Sequence, residues 1–271
     1  MVRDAIALYS VLGFLSVRFA LATVALAPYA ARKVTRRTFV AGTSIRLVLA
    51  LGYLLQTTGL LFTTPTNSGL ITGLFVGFTP LVDHLFFRTR ISRPVLVAVL
   101  LSLLGMVLLA GGGPEGANRG DLLTLLCAGA LGLHIALLSR YARTHDASGL
   151  AFVQMLSMAL AFGLLWPLFE PVALPPHEVW LSLVVMGLVA SAGAFWVQTF
   201  VQQRISAART AVILTTEPVF AALFGYWLTV DRLALVQIFG AALIFSALVA
   251  SDVAPVVVHT NKPHEKGDVS R

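Results

Sequence analysis

Polar residues in this chain gather in short clusters that separate long apolar runs. Nine runs can be counted, at residues 9–30, 38–62, 65–87, 94–111, 121–141, 148–169, 178–201, 206–228 and 233–253. Each approaches the roughly 20 apolar residues that an α-helix needs to cross the hydrocarbon of a bilayer. The pattern therefore predicts an all-α, polytopic membrane bundle of nine spans. Loops of 3–10 residues join the runs and leave no room for a separate soluble domain. Residues 254–271 are too polar to span and read as a solvated tail. The first run lacks the basic start and small-residue cleavage site of a signal peptide.

Composition agrees with this pattern. Of 271 residues, 58% are apolar and 11% charged, against about 25% charged in soluble domains. So few charges cannot cover a water-facing surface, which excludes a soluble enzyme. The formal charge of +7 comes mainly from arginine, but the basic residues lie in short groups between apolar runs and do not suggest nucleic acid. Fourteen of the nineteen Lys and Arg fall on the first, third, fifth and seventh loops and the tail. The opposite side carries three, Arg3, Arg119 and Arg232, and two, Arg18 and Arg46, lie within spans. By the positive-inside rule the C-terminus is cytoplasmic and Met1 external. The one cysteine, Cys127, excludes an internal disulfide and a cysteine-built metal cage.

The two halves repeat each other. Tyr53-Leu54-Leu55-Gln56-Thr57 in the second span matches Phe195-Trp196-Val197-Gln198-Thr199 in the seventh. Thr79-Pro80 in the third lies at the depth of Glu217-Pro218 in the eighth, and Phe14 with Pro28 in the first matches Phe152 with Pro167 in the sixth. Partners five spans apart face opposite ways across the membrane, and inverted repeats around a midplane site are a transporter architecture. The expected units are a first repeat over 1–112 with four helices, a second over 120–253 with five, and a tail over 254–271. The fifth span has no partner, so a first helix of a ten-helix fold is expected to be missing before Met1; the alternative is a genuine nine-span protein.

Several stretches carry a family resemblance: Arg18-Phe19-Ala20, the segment from Gly52 to Pro80, Gly120-Asp121-Leu122, and the run from Ala211 to Tyr226. Together they resemble EamA-type members of the drug/metabolite transporter superfamily. The resemblance implies two five-helix inverted repeats with both termini cytoplasmic, a central cavity, and movement of small metabolites, often export of amino acids. Two features depart from the family pattern. A tryptophan common in the first helix of each repeat is replaced by Gly129-Ala130-Leu131-Gly132 in the second half. The acidic residue after the fourth helix of a repeat is Asp231 in the second half but Thr89 in the first.

Polar residues inside spans are the candidate chemistry. A mid-span carboxylate costs about 2.5–3.5 kcal/mol unless it faces a cavity or partner, which singles out Glu217 as a cavity group and candidate proton carrier; the alternative is a packing hydrogen bond. Gln56, Thr57, Gln198 and Thr199 form repeat-related polar pairs suited to a zwitterionic or amide-bearing solute, or equally to helix packing. Tyr53, Phe195 and Trp196 could wall a cavity. Arg18 could hold a substrate carboxylate or a structural partner, and Arg46 lies near enough to the cytoplasmic boundary to snorkel. Asp83 and His84 read as mouth residues, and His134 as a cavity or core group. Pro80 and Pro218 are candidate hinges. Gly69, Gly73 and Gly77 recur every fourth residue and offer a bare packing face. Thr66, Asn67 and Ser68 before them read as a helix cap.

The expected function is secondary transport of small organic metabolites, most simply efflux of amino acids or related compounds by alternating access. The expected setting is the inner or plasma membrane, with no nucleic acid, cofactor, metal or catalytic residue. A proton is a candidate coupling ion, and both a monomer and a homodimer stay open. Two alternatives remain. One is an intramembrane serine hydrolase built on Ser68 with His84 or His134. The other is a non-transporting membrane protein or truncated remnant.

Overall fold

A computed structural model describes residues 2–109, 118–220, 223 and 234–252. Asp231, the end of the eighth span and the tail lie outside the described residues. All secondary structure among the described residues is helical. After a short helix α1 (Val2–Leu8), α2 (Val11–Ala30), α3 (Arg36–Gly59), α4 (Pro65–Gly73) with α5 (Phe75–Phe87), and α6 (Arg93–Leu109) follow the first four predicted spans. The later runs give α7 (Arg119–Ala142), α8 (Ala147–Phe169), α9 (His177–Gly187) with α10 (Ala194–Gln202), α11 (Ala207–Leu214) and α12 (Leu235–Asp252). Six stretches are long and apolar enough to cross a membrane: Val11–Lys33, Arg36–Gly59, Asn67–Phe87, Arg119–Ala142, Ala147–Phe169 and His177–Gln202. Arg93–Leu109 and Leu235–Ser251 are apolar but shorter. The protein is thus a polytopic helical membrane protein.

Helix starts follow local chemistry. Ser10, Thr35, Thr64, Asp146 and Ser206 each accept a hydrogen bond from the backbone N–H three residues on, satisfying donors that have no partner within the helix. At α4 the cap is Thr64, followed by Pro65 in the first turn, so the helix begins two residues before the Thr66–Ser68 cap read from sequence. Asn118 and Asp121 form a reciprocal capping box on α7. Asp121 also accepts from Thr63 at 2.6 Å, while a Cβ on Gly120 would sit 2.6 Å from the Gly59 carbonyl oxygen. Gly120-Asp121 therefore locks the start of α7 against the end of α3.

The bundle buries its largest side chains between α2 and α8. Phe14, Leu15 and Phe19 meet Met155, Met158 and Phe162, with Phe19 and Phe162 stacked at 5.9 Å. A second apolar cluster joins α5, α6, α7, α11 and α12. There α6 and α12 approach so closely that a Cβ on Gly105 would lie 2.7 Å from the Gly240 carbonyl. Opposite faces expose Leu164, Leu168, Phe169 and many other large apolar residues, the reverse of a soluble surface and fitting for lipid.

Three helical interruptions shape the interior. The third span breaks at Leu74, between α4 and α5, six residues before Pro80. The eighth breaks in a turn at Thr215–Thr216 and resumes over 217–220, where Pro218 lies. The seventh carries a π-helical stretch over Leu188–Gly193; the second span, α3, has no such break.

Candidate functional site

Arg18 sits on the inward face of α2 beside Phe19 and is only 6% exposed. Its Nε donates to Ser191 Oγ at 2.8 Å, and Ser191 lies in the π-helical stretch of the seventh span. Such local widenings cluster at functional positions. The approach depends on Gly187, where a Cβ would lie 3.0 Å from the Arg18 carbonyl oxygen and 2.9 Å from Leu21 Cβ. The guanidinium lies 4.9 Å from the Tyr53 ring centre and 5.4 Å from that of Phe19. These rings meet edge-on at 5.1 Å, and Tyr53 continues to Phe195 at 6.1 Å. Glu217, on the eighth span, lies within electrostatic reach of Arg18 and Tyr53.

Residues of the first, second and seventh spans thus meet at one guanidinium, with Glu217 of the eighth in electrostatic reach. A mid-span arginine costs about 2.5–3.5 kcal/mol on insertion scales. A cation over aromatic rings away from water recovers up to about 2 kcal/mol, and the hydrogen bond to Ser191 supplies further compensation. Arg18 is therefore tolerated here, and Glu217, more than a third of its surface exposed, is the carboxylate in electrostatic reach.

His134 adjoins this cluster without joining its charge chemistry. Gln154 Nε2 donates to the Leu150 carbonyl at 3.3 Å, which turns its Oε1 toward His134 Nε2 at 3.0 Å. The histidine Nε2 then donates, and its ring meets Phe195 edge-on at 5.9 Å. This is a satisfied core hydrogen bond between α7 and α8. Among the described residues, no group of three or more His, Cys, Asp or Glu is placed to hold a metal ion.

The model of the EamA-like transporter family matches residues 118–251. An uncharacterized transporter from Archaeoglobus fulgidus is 34% identical over 212 residues, spanning 77% of this chain and 67% of that protein. The chain belongs to the EamA-like transporter family. It is a multi-pass membrane transporter. Its fold is shared with a protein of known crystal structure at a TM-score of 0.76 and 18% identity, covering 92% of this chain and 90% of that one.

In this EamA-like transporter the other sequence-predicted residues take varied places. Gln56 is partly buried and its Nε2 donates to Thr72 Oγ1 at 3.2 Å, tying the second span to the third, and Thr57 is buried beside it. Gln198 makes a long 3.5 Å contact to Gln202, which itself donates to Ser139 at 2.7 Å and the Ile135 carbonyl at 3.1 Å. Thr199 turns back to the Phe195 carbonyl at 2.7 Å. Of these residues, Gln56 and Gln202 join helices, whereas Gln198 and Thr199 bond within their own. Trp196 is not brought to the cluster: it is 42% exposed, its Nε1 donates to Ser148 at 3.0 Å, and it stacks on Phe200. Its neighbour Phe195 faces inward instead.

Among the glycines, a Cβ on Gly73 would strike the Met106 methyl, Gly77 meets Leu103 at ordinary contact distance, and Gly69 has nothing within 4 Å. Only the middle of that stripe packs tightly. Pro80 is buried and Pro218 half-buried. Ser68 is buried, but His84 contacts the Thr89 carbonyl and His134 is engaged by Gln154, so neither histidine contacts Ser68.

Sequence reasoning weighed Arg18 without a partner and did not single out Ser191. The available signal was the small-residue run around it, Gly187 to Gly193, where a helix can come close to a neighbour.

Proposed function

We propose that this transporter carries small organic metabolites, with export of amino acids or related compounds as its task, and that Arg18, Tyr53 and Glu217 form the centre of its substrate site. The observation that carries this reading is the Arg18–Ser191 contact at 2.8 Å beneath the Tyr53 ring. A positive group, an aromatic wall and a carboxylate in one place can hold the two ends and the body of a zwitterion. Gln56, Thr57, Gln198 and Thr199 flank this centre in the proposal and keep the helices around it in register. Trp196, on the outer flank of the seventh span, serves the packing of α8 rather than the cavity wall.

Alternating access is the proposed mechanism, with residues 1–112 and 120–253 as inverted repeats that rock about the centre. Support comes from the interruptions near Pro80 and Pro218 in repeat-related spans and from the Gly105–Gly240 crossing of α6 with α12. The two prolines, each lacking the N–H that would continue the helical ladder, act as hinges, while Gly73 and Gly77 hold the third span to α6. The proposed setting is the inner or plasma membrane with a cytoplasmic C-terminus, and nine spans in this chain. Protons are the proposed coupling ion, through Glu217.

The test is uptake into proteoliposomes of a panel of labelled amino acids and related metabolites, with and without an imposed pH gradient. The wild type should move at least one panel member and respond to the gradient. Glu217→Gln should keep downhill movement and lose that response. A Glu217→Gln protein that still concentrates substrate against the gradient would remove the carboxylate from coupling.

A further inference from the structure

Two arginines stand inside the spans, and only one is accounted for. Arg18 has Ser191 and two aromatic rings. Arg46, on α3, has a buried Nε with no hydrogen-bond partner among the described residues. One turn earlier on the same helix, Thr43 Oγ1 is buried and equally unpartnered. Most hydroxyls of this type return a hydrogen bond to their own helix, as Thr79, Thr124 and Thr199 do here. Two orphaned donors side by side are therefore a local exception, and buried polar groups without partners call for an explanation.

Their position gives one. Thr43, Arg46, Ala50 and Tyr53 follow the i, i+3, i+4 spacing that places side chains on one helix flank. Ala50 and Tyr53 pack on the apolar cluster that contains Phe19, so this flank turns toward the interior and not the lipid. Arg46 lies ten residues from Arg36 at the helix start, about 15 Å along the axis, and seven residues short of Tyr53, about 10 Å further. It stands between the basic end of α3 and the Arg18 centre. Arg18 already has a hydroxyl and two aromatic rings around it, whereas the Arg46 Nε and the Thr43 hydroxyl keep donor capacity that a carboxylate would satisfy.

We propose that Arg46 and Thr43 form an anion-holding station through which a carboxylate-bearing substrate passes between the basic face of the membrane and the Arg18–Tyr53 centre. The inference rests on the reading of that centre as the transport site and adds a second binding position on the path of the solute's carboxylate. The carboxylate accepts from the Arg46 guanidinium and the Thr43 hydroxyl, then transfers to Arg18.

The experiment uses the full-length purified protein and matched probes, L-phenylalanine, L-leucine and L-glutamate against their carboxyl amides. Binding is read as ligand-dependent thermal stabilisation, for the wild type, Arg46→Gln, Arg46→Lys, Thr43→Val and Arg18→Gln. The wild type should be stabilised by at least one carboxylate and less by its amide. Arg46→Gln should raise the half-saturating concentration of that carboxylate about tenfold, the usual scale for a hydrogen bond to a charged group, and leave the amide unchanged. Arg46→Lys should recover most of the loss, and Thr43→Val should show a smaller one. Without ligand, Arg46→Gln should melt no lower than the wild type, because it removes a buried Nε that has no partner among the described residues. No stabilisation of the wild type by any carboxylate overturns the inference, as does equal carboxylate response in Arg46→Gln. A melting temperature that falls only in Arg46→Gln and only when anionic lipid is present also overturns it, and would assign Arg46 to a lipid phosphate. If Arg18→Gln loses the carboxylate response while Arg46→Gln keeps it, the centre stands and the station alone falls.

Discussion

At the scale of single residues, the chemistry centres on Arg18. Its Nε is committed to Ser191 at 2.8 Å and its flat face to Tyr53, which fixes the remaining donors in direction. Arg18→Gln keeps a polar group but removes the charge and the fork of donors. Initial rates in proteoliposomes should then fall at least about tenfold, the effect of losing one charge-assisted hydrogen bond. Much of this was unreadable from sequence for a physical reason. Arg18 and Ser191 are 173 positions apart, and no local pattern marks which serine a buried arginine will find. Phe195 and Trp196 illustrate a second limit: neighbours on a helix point about 100° apart, so one enters the cluster while the other bonds Ser148 on the outer flank. The polar pairs Gln56–Thr57 and Gln198–Thr199 were visible as a repeat, but whether such residues face solute or tie helices depends on partners such as Thr72 that only folding brings near.

Helices were more legible, because about 20 consecutive apolar residues leave little choice of structure in lipid. Eight of the nine predicted runs coincide with described helical segments along most of their length, and the eighth run is described only in part. Caps were missed by two residues where Thr64-Pro65 offered a better start than Thr66. The π-helical stretch at Leu188–Gly193 was not foreseen, since an apolar run of small residues carries no sign of its winding. Close approach of helices is a property of this scale and can be tested there. A Cβ on Gly132 would lie 2.8 Å from Phe78 Cβ and 3.0 Å from the Thr79 backbone nitrogen, where α7 crosses α5. Gly132→Val should lower stability by about 1–3 kcal/mol, the usual effect of overpacking, measured by thermal unfolding in detergent. Gly69 is exposed with open space around it, so Gly69→Ala should leave stability unchanged or raise it by up to about 1 kcal/mol through helix propensity.

For the molecule as a whole, the proposed alternating access needs a polar centre in a dry bundle that solvent reaches from each side in turn. The proposed centre lies where α2, α3 and the seventh span meet, with Glu217 after the break in the eighth. The most direct measurement places a single thiol at that centre: Tyr53→Cys in a Cys127→Ala background, reconstituted in vesicles and treated with a membrane-impermeant maleimide from one side or the other. Labelling should occur from both sides, each slowed when a transported solute is present. A thiol that reacts from neither side, while reacting fully once the protein is unfolded, would contradict the account, because Arg18 and Tyr53 would then be a sealed packing element.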